Sequence, residues 1–113
     1  MEMIVHLDSD VFDIVKKGKK DIEVRINDEK RRKLKVGDVL VFLKRPNDDE
    51  EIRTKVVGLE YYDYFENLVD HYDMERLYLN GYTKEQYLNE MKRFYTFEEQ
   101  RDNGVVAILF EKE

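Results

Sequence analysis

Residues 16–35, KKGKKDIEVRINDEKRRKLK, determine how the chain is interpreted, because they combine a strand pattern with concentrated positive charge. Within them, residues 20–27 alternate: Ile22, Val24 and Ile26 point to one side of an extended chain and the residues between them to the other, as in a β-strand. Ten of the twenty residues are lysine or arginine, whereas the whole chain has a formal net charge of −6. A basic region in an acidic protein predicts a local anion site rather than coating of nucleic acid by the whole surface.

Composition limits the class of protein. The chain has 113 residues, 42% apolar and 41% charged, which is enough for a hydrophobic core and predicts one domain spanning residues 1–113. It has no cysteine, which excludes disulfides, thiolate catalysis and cysteine-based zinc sites. The only histidines, His6 and His71, lack metal-ligand spacing, so we expect no metal and no cofactor. Without a secretory signal or an apolar run of about 20 residues, the chain is predicted to be soluble and cytoplasmic, with no membrane partner.

Further strands are predicted on both sides of the basic stretch. Their apolar runs cover residues 4–7, 39–45, 52–62 and 104–111. Gly58 lies inside one of these runs and predicts a bulge or bend, as a closing sheet requires.

Helices are predicted between the strands, over residues 8–18 and, as a short polar helix or turn, over 28–34. Apolar side chains at i, i+3, i+4 and i+7 from Phe65 predict a third helix, and the capping-box pattern of Thr83 and Gln86 begins a fourth. The apolar stripe of this fourth helix contains Tyr87, Leu88, Met91, Phe94 and Tyr95. The order of elements predicts a mixed α+β fold, mainly β: a small, partly closed barrel with helices outside.

The segment Gly18-Lys19-Lys20-x-x-Glu23-x-Arg25 resembles the GxKxxExR signature of the ASCH domain family, which is related to the PUA-like β-barrels. Three other segments resemble the family in the same order: NDEKRRKLKVGDVLVF, LEYYDYFENL and FYTFEEQRDNGVVAILFE. This resemblance implies a PUA-like barrel of about five or six strands. It also implies a cleft beside the signature strand and binding of RNA.

One branch of the family is similar to an amidohydrolase that removes the acetyl group from N4-acetylcytidine with a Lys, a Thr three positions later and a distant Glu. The resemblance places Lys20 at the Lys position and Glu23 at the Thr position, where no hydroxyl nucleophile is available. For the distant Glu, the nearest match is Asn80 and the nearest acid is Glu75. A small hydrolase acting on an acylated nucleoside through Lys20, Glu23 and Glu75 is therefore the alternative function, and it requires a base with a pKa near neutrality.

The side chains of the signature allow two interpretations each. Lys20 is either an inward-pointing cation at the mouth of a cleft or a solvated lysine in a turn. Glu23 and Arg25 are two apart and share a strand face, so they are predicted to pair. The pair either holds the guanidinium for a phosphate or a base edge, or it is a structural salt bridge.

The leading hypothesis is a module that binds RNA, a nucleotide or a modified nucleoside, with protein partners left open. Whether the two basic clusters around the strand merge into one surface depends on the turns. Tyr62 and Tyr64 share a face and are either a stacking platform or core. The predicted binding residues are Lys17, Lys19, Lys20, Arg25, Arg31, Arg32, Tyr62 and Tyr64.

Overall fold

The computed structural model describes residues 1–77 and 81–113. The strands are Glu2–Leu7 (β1), Ile22–Ile26 (β2), Val39–Lys44 (β3), Glu51–Tyr62 (β4) and Val105–Lys112 (β5). The helices are Ser9–Lys16 (α1), Glu29–Arg32 (α2), Phe65–Val69 (α3), Met74–Leu77 (α4), Lys84–Met91 (α5) and Phe97–Asn103 (α6).

The strands form one five-stranded sheet in the order β1-β3-β4-β5-β2. β1 and β3 run parallel, and the other neighbours are antiparallel. The sheet curls into a half-barrel with helices around it, which confirms the prediction of a mixed α+β fold built on a partly closed barrel. β2, the strand of the basic stretch, lies at one end of the sheet and pairs with β5, with Ile22 opposite Leu109 and Ile26 opposite Val105.

The predicted bulge is present in β4. The register between β4 and β5 shifts between Val56 and Gly58. A Cβ at Gly58 would lie 3.4 Å from the Cβ of Leu109, so glycine lets the two strands approach closely at the bend. The bend allows one long strand to follow the curl of the sheet.

Two hydrophobic clusters cover the two faces of the sheet, and β5 contributes to both by alternation. One cluster contains Phe12 of α1 and Phe42 of β3, and receives Val106, Ile108 and Phe110. The other cluster lies under α3, α4 and α5 and receives Val105, Ala107 and Leu109. β2 belongs to this second cluster, so the helices that follow β4 cover the strand of the basic stretch.

The helical region differs in part from the prediction. The Thr83 and Gln86 capping box is confirmed at the start of α5. α4 and α6 were not predicted, and α6 begins with a second capping box, formed by Thr96 and Glu99. Within residues 1–77 and 81–113, no helix has the length and apolar character needed to cross a membrane.

Candidate functional site

Lys20 is buried, not solvated. Gly18, at φ +79°, follows the end of α1, and Lys20 lies just before β2 with only 4% of its surface exposed. Its ammonium donates to the carbonyl oxygen of Ile22 and, at 2.7 Å, to that of Leu77, and lies 3.6 Å from Glu23 Oε1. The two carbonyl oxygens use two of the three N–H donors of this ammonium, and Glu23 lies beside it as an ion-pair partner. Burial lowers the pKa of Lys20, although nearby Glu23 favours the charged form.

Glu23 lies between two cations. Its Oε2 accepts a hydrogen bond from Arg25 Nη2 at 3.2 Å, which confirms the predicted pair. Its Oε1 accepts from the backbone N–H of Val24 at 3.2 Å and faces Lys20. Burial favours the neutral acid, but Arg25 and Lys20 together outweigh it, and the pKa of Glu23 is lowered. The carboxylate therefore stays ionised and orients both cations.

Arg25 is the most accessible member of this row. Its side chain keeps 24% of its surface exposed, against 4% for Lys20 and 9% for Glu23. The charge of Glu23 raises the pKa of Arg25, and a hydrogen bond to Tyr95 adds to the effect. A guanidinium has five N–H donors, so contacts with Glu23 and Tyr95 leave donors that can bind a ligand.

The Lys20–Glu23–Arg25 row forms part of the wall of a cavity of about 270 Å³, called here the first cavity. The sheet side is completed by Leu7 and Val24, and α1 contributes Val11. The opposite wall comes from α5 and the residues around it, and is largely aromatic. Its aromatic members are Tyr82, Tyr87, Phe94 and Tyr95. An ionic row therefore faces a surface suited to a flat, partly polar ligand.

The two predicted basic clusters do not meet in this cavity. Lys17 and Lys19 are exposed and do not line it. The carbonyl of Lys16 accepts a hydrogen bond from Lys112, at one end of the β2–β5 pair, whereas Arg32 donates to Asn103 near the other end. The clusters thus lie at opposite ends of β2, and the two cations of the signature that line the cavity, Lys20 and Arg25, come from the strand region itself.

Arg31 occupies an intermediate position. It is half-buried at the side of Arg25, and burial, then the like charge of Arg25, lowers its pKa. Its Nε atom is buried and has no hydrogen-bond partner among the described residues. The sequence marked Arg31 as basic but gave no sign that its guanidinium would be partly desolvated.

The two predicted stacking residues are not beside Lys20. The Tyr62 hydroxyl lies 3.0 Å from that of Tyr72, and its ring packs at the edge of the second hydrophobic cluster. Tyr64 precedes α3 and stacks against Phe97. The aromatic residues that do face the ionic row belong to the predicted stripe of α5, where Tyr87 and Tyr95 interact electrostatically with Glu23 or Arg25. The sequence signal for this contact with the ionic row was the presence of two phenol groups in an otherwise apolar helical stripe.

The structure brings the residues of the hydrolase alternative together only in part: Lys20 and Glu23 lie 3.6 Å apart in the wall of the first cavity. The pKa of Glu23 is lowered, the opposite of the direction needed for a base near neutrality. Glu75 is exposed on α4 and does not line the first cavity. Asn80 lies outside the described residues.

The lowered pKa of Glu23 makes the stability of the protein depend on pH. The stabilisation from Glu23 is fully present above the ordinary carboxyl pKa of 4.5 and is lost as the pH falls through the lowered value of the folded state. Urea unfolding of the wild type and of Glu23→Gln, from neutral pH downwards, is therefore expected to show a difference that shrinks in acid. Other carboxylates are common to both proteins and cancel, so a pH-independent difference would contradict this origin.

The family model of the ASCH domain matches residues 5–113. None of the curated proteins matches. The crystal structure of hypothetical protein PH0355 is similar over 100% of both chains, with 30% sequence identity and a TM-score of 0.88. The solution NMR structure of protein PF0455 from Pyrococcus furiosus is also 30% identical, with a TM-score of 0.80, over 99% of this chain and 97% of that one.

Proposed function

The chain belongs to the ASCH domain family, and from this membership and the geometry of the first cavity we propose that it binds RNA through a single nucleotide unit. The observation that carries the proposal is the accessible guanidinium of Arg25, held by Glu23 at 3.2 Å and facing an aromatic wall. Arginine held in this way suits bidentate recognition of a phosphate or a base edge. The chain's lack of cysteine fits a reducing, cytoplasmic setting for this role.

The dimensions of the first cavity favour one nucleoside. Its volume of about 270 Å³ lies just below the range of roughly 300–1,000 Å³ that is usual for small-molecule sites. Tyr87 and Tyr95 supply ring surface and hydroxyl groups in the same wall. Proteins hold unstacked RNA bases through such aromatic contacts combined with hydrogen bonds to the base edges.

The charge distribution supports recognition of one exposed nucleotide rather than a long phosphate track. The chain has a net charge of −6, and its basic clusters lie at opposite ends of β2. Neutralising few phosphates gives weak dependence on salt. A terminal nucleotide or one turned out of a duplex fits this pattern.

The amidohydrolase alternative has less support and is not part of the proposal. The ammonium of Lys20 donates to two backbone carbonyl oxygens and forms an ion pair with Glu23 at 3.6 Å. Glu23, at the position of the family's Thr, is held as a carboxylate by two cations. We assign Lys20 the role of a positioning residue that fixes Glu23 and, through it, Arg25.

Arg25→Lys is expected to weaken binding of nucleoside monophosphates and short single-stranded RNA by about tenfold or more, since hydrogen bonds to charged groups contribute about 1.5–3 kcal/mol each. The change keeps a cation beside Glu23 but removes the planar fork of donors. Isothermal titration calorimetry measures the affinity, and the thermal unfolding of the variant verifies its fold. Lys17→Ala, at an exposed lysine outside the cavity, is the matched control and should change the affinity little.

Salt dependence separates this site from surface binding. With one or two phosphates contacted, the slope of log K against log salt should be about −1, because each contact on a single strand contributes roughly −0.7. A steep slope that Lys17→Ala reduces and Arg25→Lys leaves intact would overturn the proposal in favour of the outer basic clusters. No binding of any RNA or nucleotide at low salt would also overturn it.

A further inference from the structure

A second cavity of about 660 Å³ adjoins the first. Met91 and Tyr95 line both cavities, so one wall of α5 and the segment after it is shared. The far side of the second cavity is formed by α3 and α6, through Phe65 and Gln100. The two cavities are therefore neighbours on either side of this wall.

The second cavity contains a stacked aromatic pair. The rings of Tyr64 and Phe97 lie 5.0 Å apart between centroids with only 10° between their planes. Phe97 is the first residue of α6. Although its side chain is apolar, 60% of its surface is exposed. A parallel, solvent-accessible pair offers the flat surface on which an unpaired base stacks, and such stacking tolerates any base.

Positive groups lie close to both cavities. Arg31, near Arg25 and Tyr95, has a half-buried side chain with an unpartnered Nε, and no ion pair is found for it among the described residues. Glu23 and Asp28 offset part of the repulsion between these two guanidinium groups, and a phosphate close to both would offset more of it. Lys92 lines the second cavity itself. This arrangement suits a phosphodiester with one base on either side.

We propose that the two cavities bind consecutive nucleotides of single-stranded RNA. The first base occupies the cavity beside the Lys20–Glu23–Arg25 row, the linking phosphate lies towards Arg31, and the second base stacks on the Tyr64 and Phe97 pair. This inference rests on the proposed function, because it takes the first cavity to be a nucleotide site. It adds that the ligand is a strand, not a free nucleotide or nucleoside, and assigns Phe97 to its recognition.

The test compares the homodinucleotides of the RNA bases with the matching nucleoside monophosphates, titrated into the full chain by calorimetry. The dinucleotide of the preferred base should bind about tenfold more tightly than its monophosphate, as expected for one additional stacked base. Phe97→Leu keeps apolar volume but removes the ring, and should abolish that gain while leaving monophosphate affinity unchanged. Tyr61→Leu, at an aromatic residue that is 57% exposed and lines neither cavity, is the matched control and should keep the gain.

The possible failures are distinct. If monophosphates bind and dinucleotides bind no better, the second site is refuted while the first stands. If Phe97→Leu weakens both probes equally, Phe97 supports the fold rather than a second base, and the inference is again overturned. If neither probe binds, the proposed function fails and this inference fails with it. Monophosphate binding thus serves as an internal measure of folding for each variant.

Discussion

Replacing Glu23 by glutamine is expected to lower the free energy of unfolding by about 3–5 kcal/mol, the usual cost of removing one partner from a buried ionic group. The amide cannot neutralise Lys20 and Arg25, which would then lie 4% and 24% exposed beside each other without a compensating anion. It also places an NH₂ group at one of the two oxygen positions, so either Arg25 or Val24 loses the acceptor of its hydrogen bond. Both effects act on the folded state alone.

Urea unfolding followed by circular dichroism at neutral pH measures this loss. Glu2→Gln is the matched control, because Glu2 pairs with Arg53 at the surface, where water solvates both groups. Exposed ion pairs contribute little to stability. Equal, small losses in the two variants would mean that Glu23 is solvated and that the ionic row does not organise the first cavity.

Lys20→Met is expected to cost about 3 kcal/mol, although methionine matches the length of the lysine stem. The change leaves the carbonyl oxygens of Ile22 and Leu77 buried without the donor they now share, at about 1–3 kcal/mol for each unsatisfied group. It also removes one of the two cations that hold Glu23 ionised. Lys19→Met, one residue earlier and exposed, is the matched control and should have almost no effect.

A double-mutant cycle tests whether Lys20 and Glu23 act as one unit. The combined variant Lys20→Met/Glu23→Gln should lose less stability than the sum of the single changes, with a coupling of about 0.5–3 kcal/mol, because the second change removes a partner already lost. Additive losses would show that the 3.6 Å approach of the two groups has no energetic consequence. A stable Lys20→Met protein would contradict a positioning role for this lysine.

The sheet was predictable because its signals are local. Alternation in residues 20–27 identified β2, and the glycine inside the apolar run of β4 identified the bulge at Gly58. The spacing of Glu23 and Arg25 placed them on one face of the strand, where they pair. In each case the determining residues lie within a few positions of one another, so geometry follows from backbone periodicity.

The burial of Lys20 was not predictable in the same way. Its acceptor at Leu77 lies 57 residues further along the chain, in a short helix that has no strong periodic signal. A cluster of lysines in a turn is ordinarily solvated, and only the helices that cover β2 remove water from this one. The same helical region, far from β2 in the sequence, brings Tyr87 and Tyr95 to the ionic row.

α6 was missed although its signal was present. Thr96 and Glu99 show the same capping-box pattern as Thr83 and Gln86, which did identify α5. α6 places Phe97 against Tyr64. Because α6 was not predicted, the second cavity was not predicted either.

The position of β2 in the sheet has a consequence for biosynthesis. β2 is joined to the sheet through β5, a strand formed by Val105–Lys112. A ribosome makes the signature residues long before it makes their partner strand, and such distant pairing delays folding. Nascent chains halted before residue 105 would carry every side chain of the ionic row yet lack the strand that joins β2 to the rest of the sheet. We therefore expect a nascent chain to bind the proposed ligand only after β5 has been made.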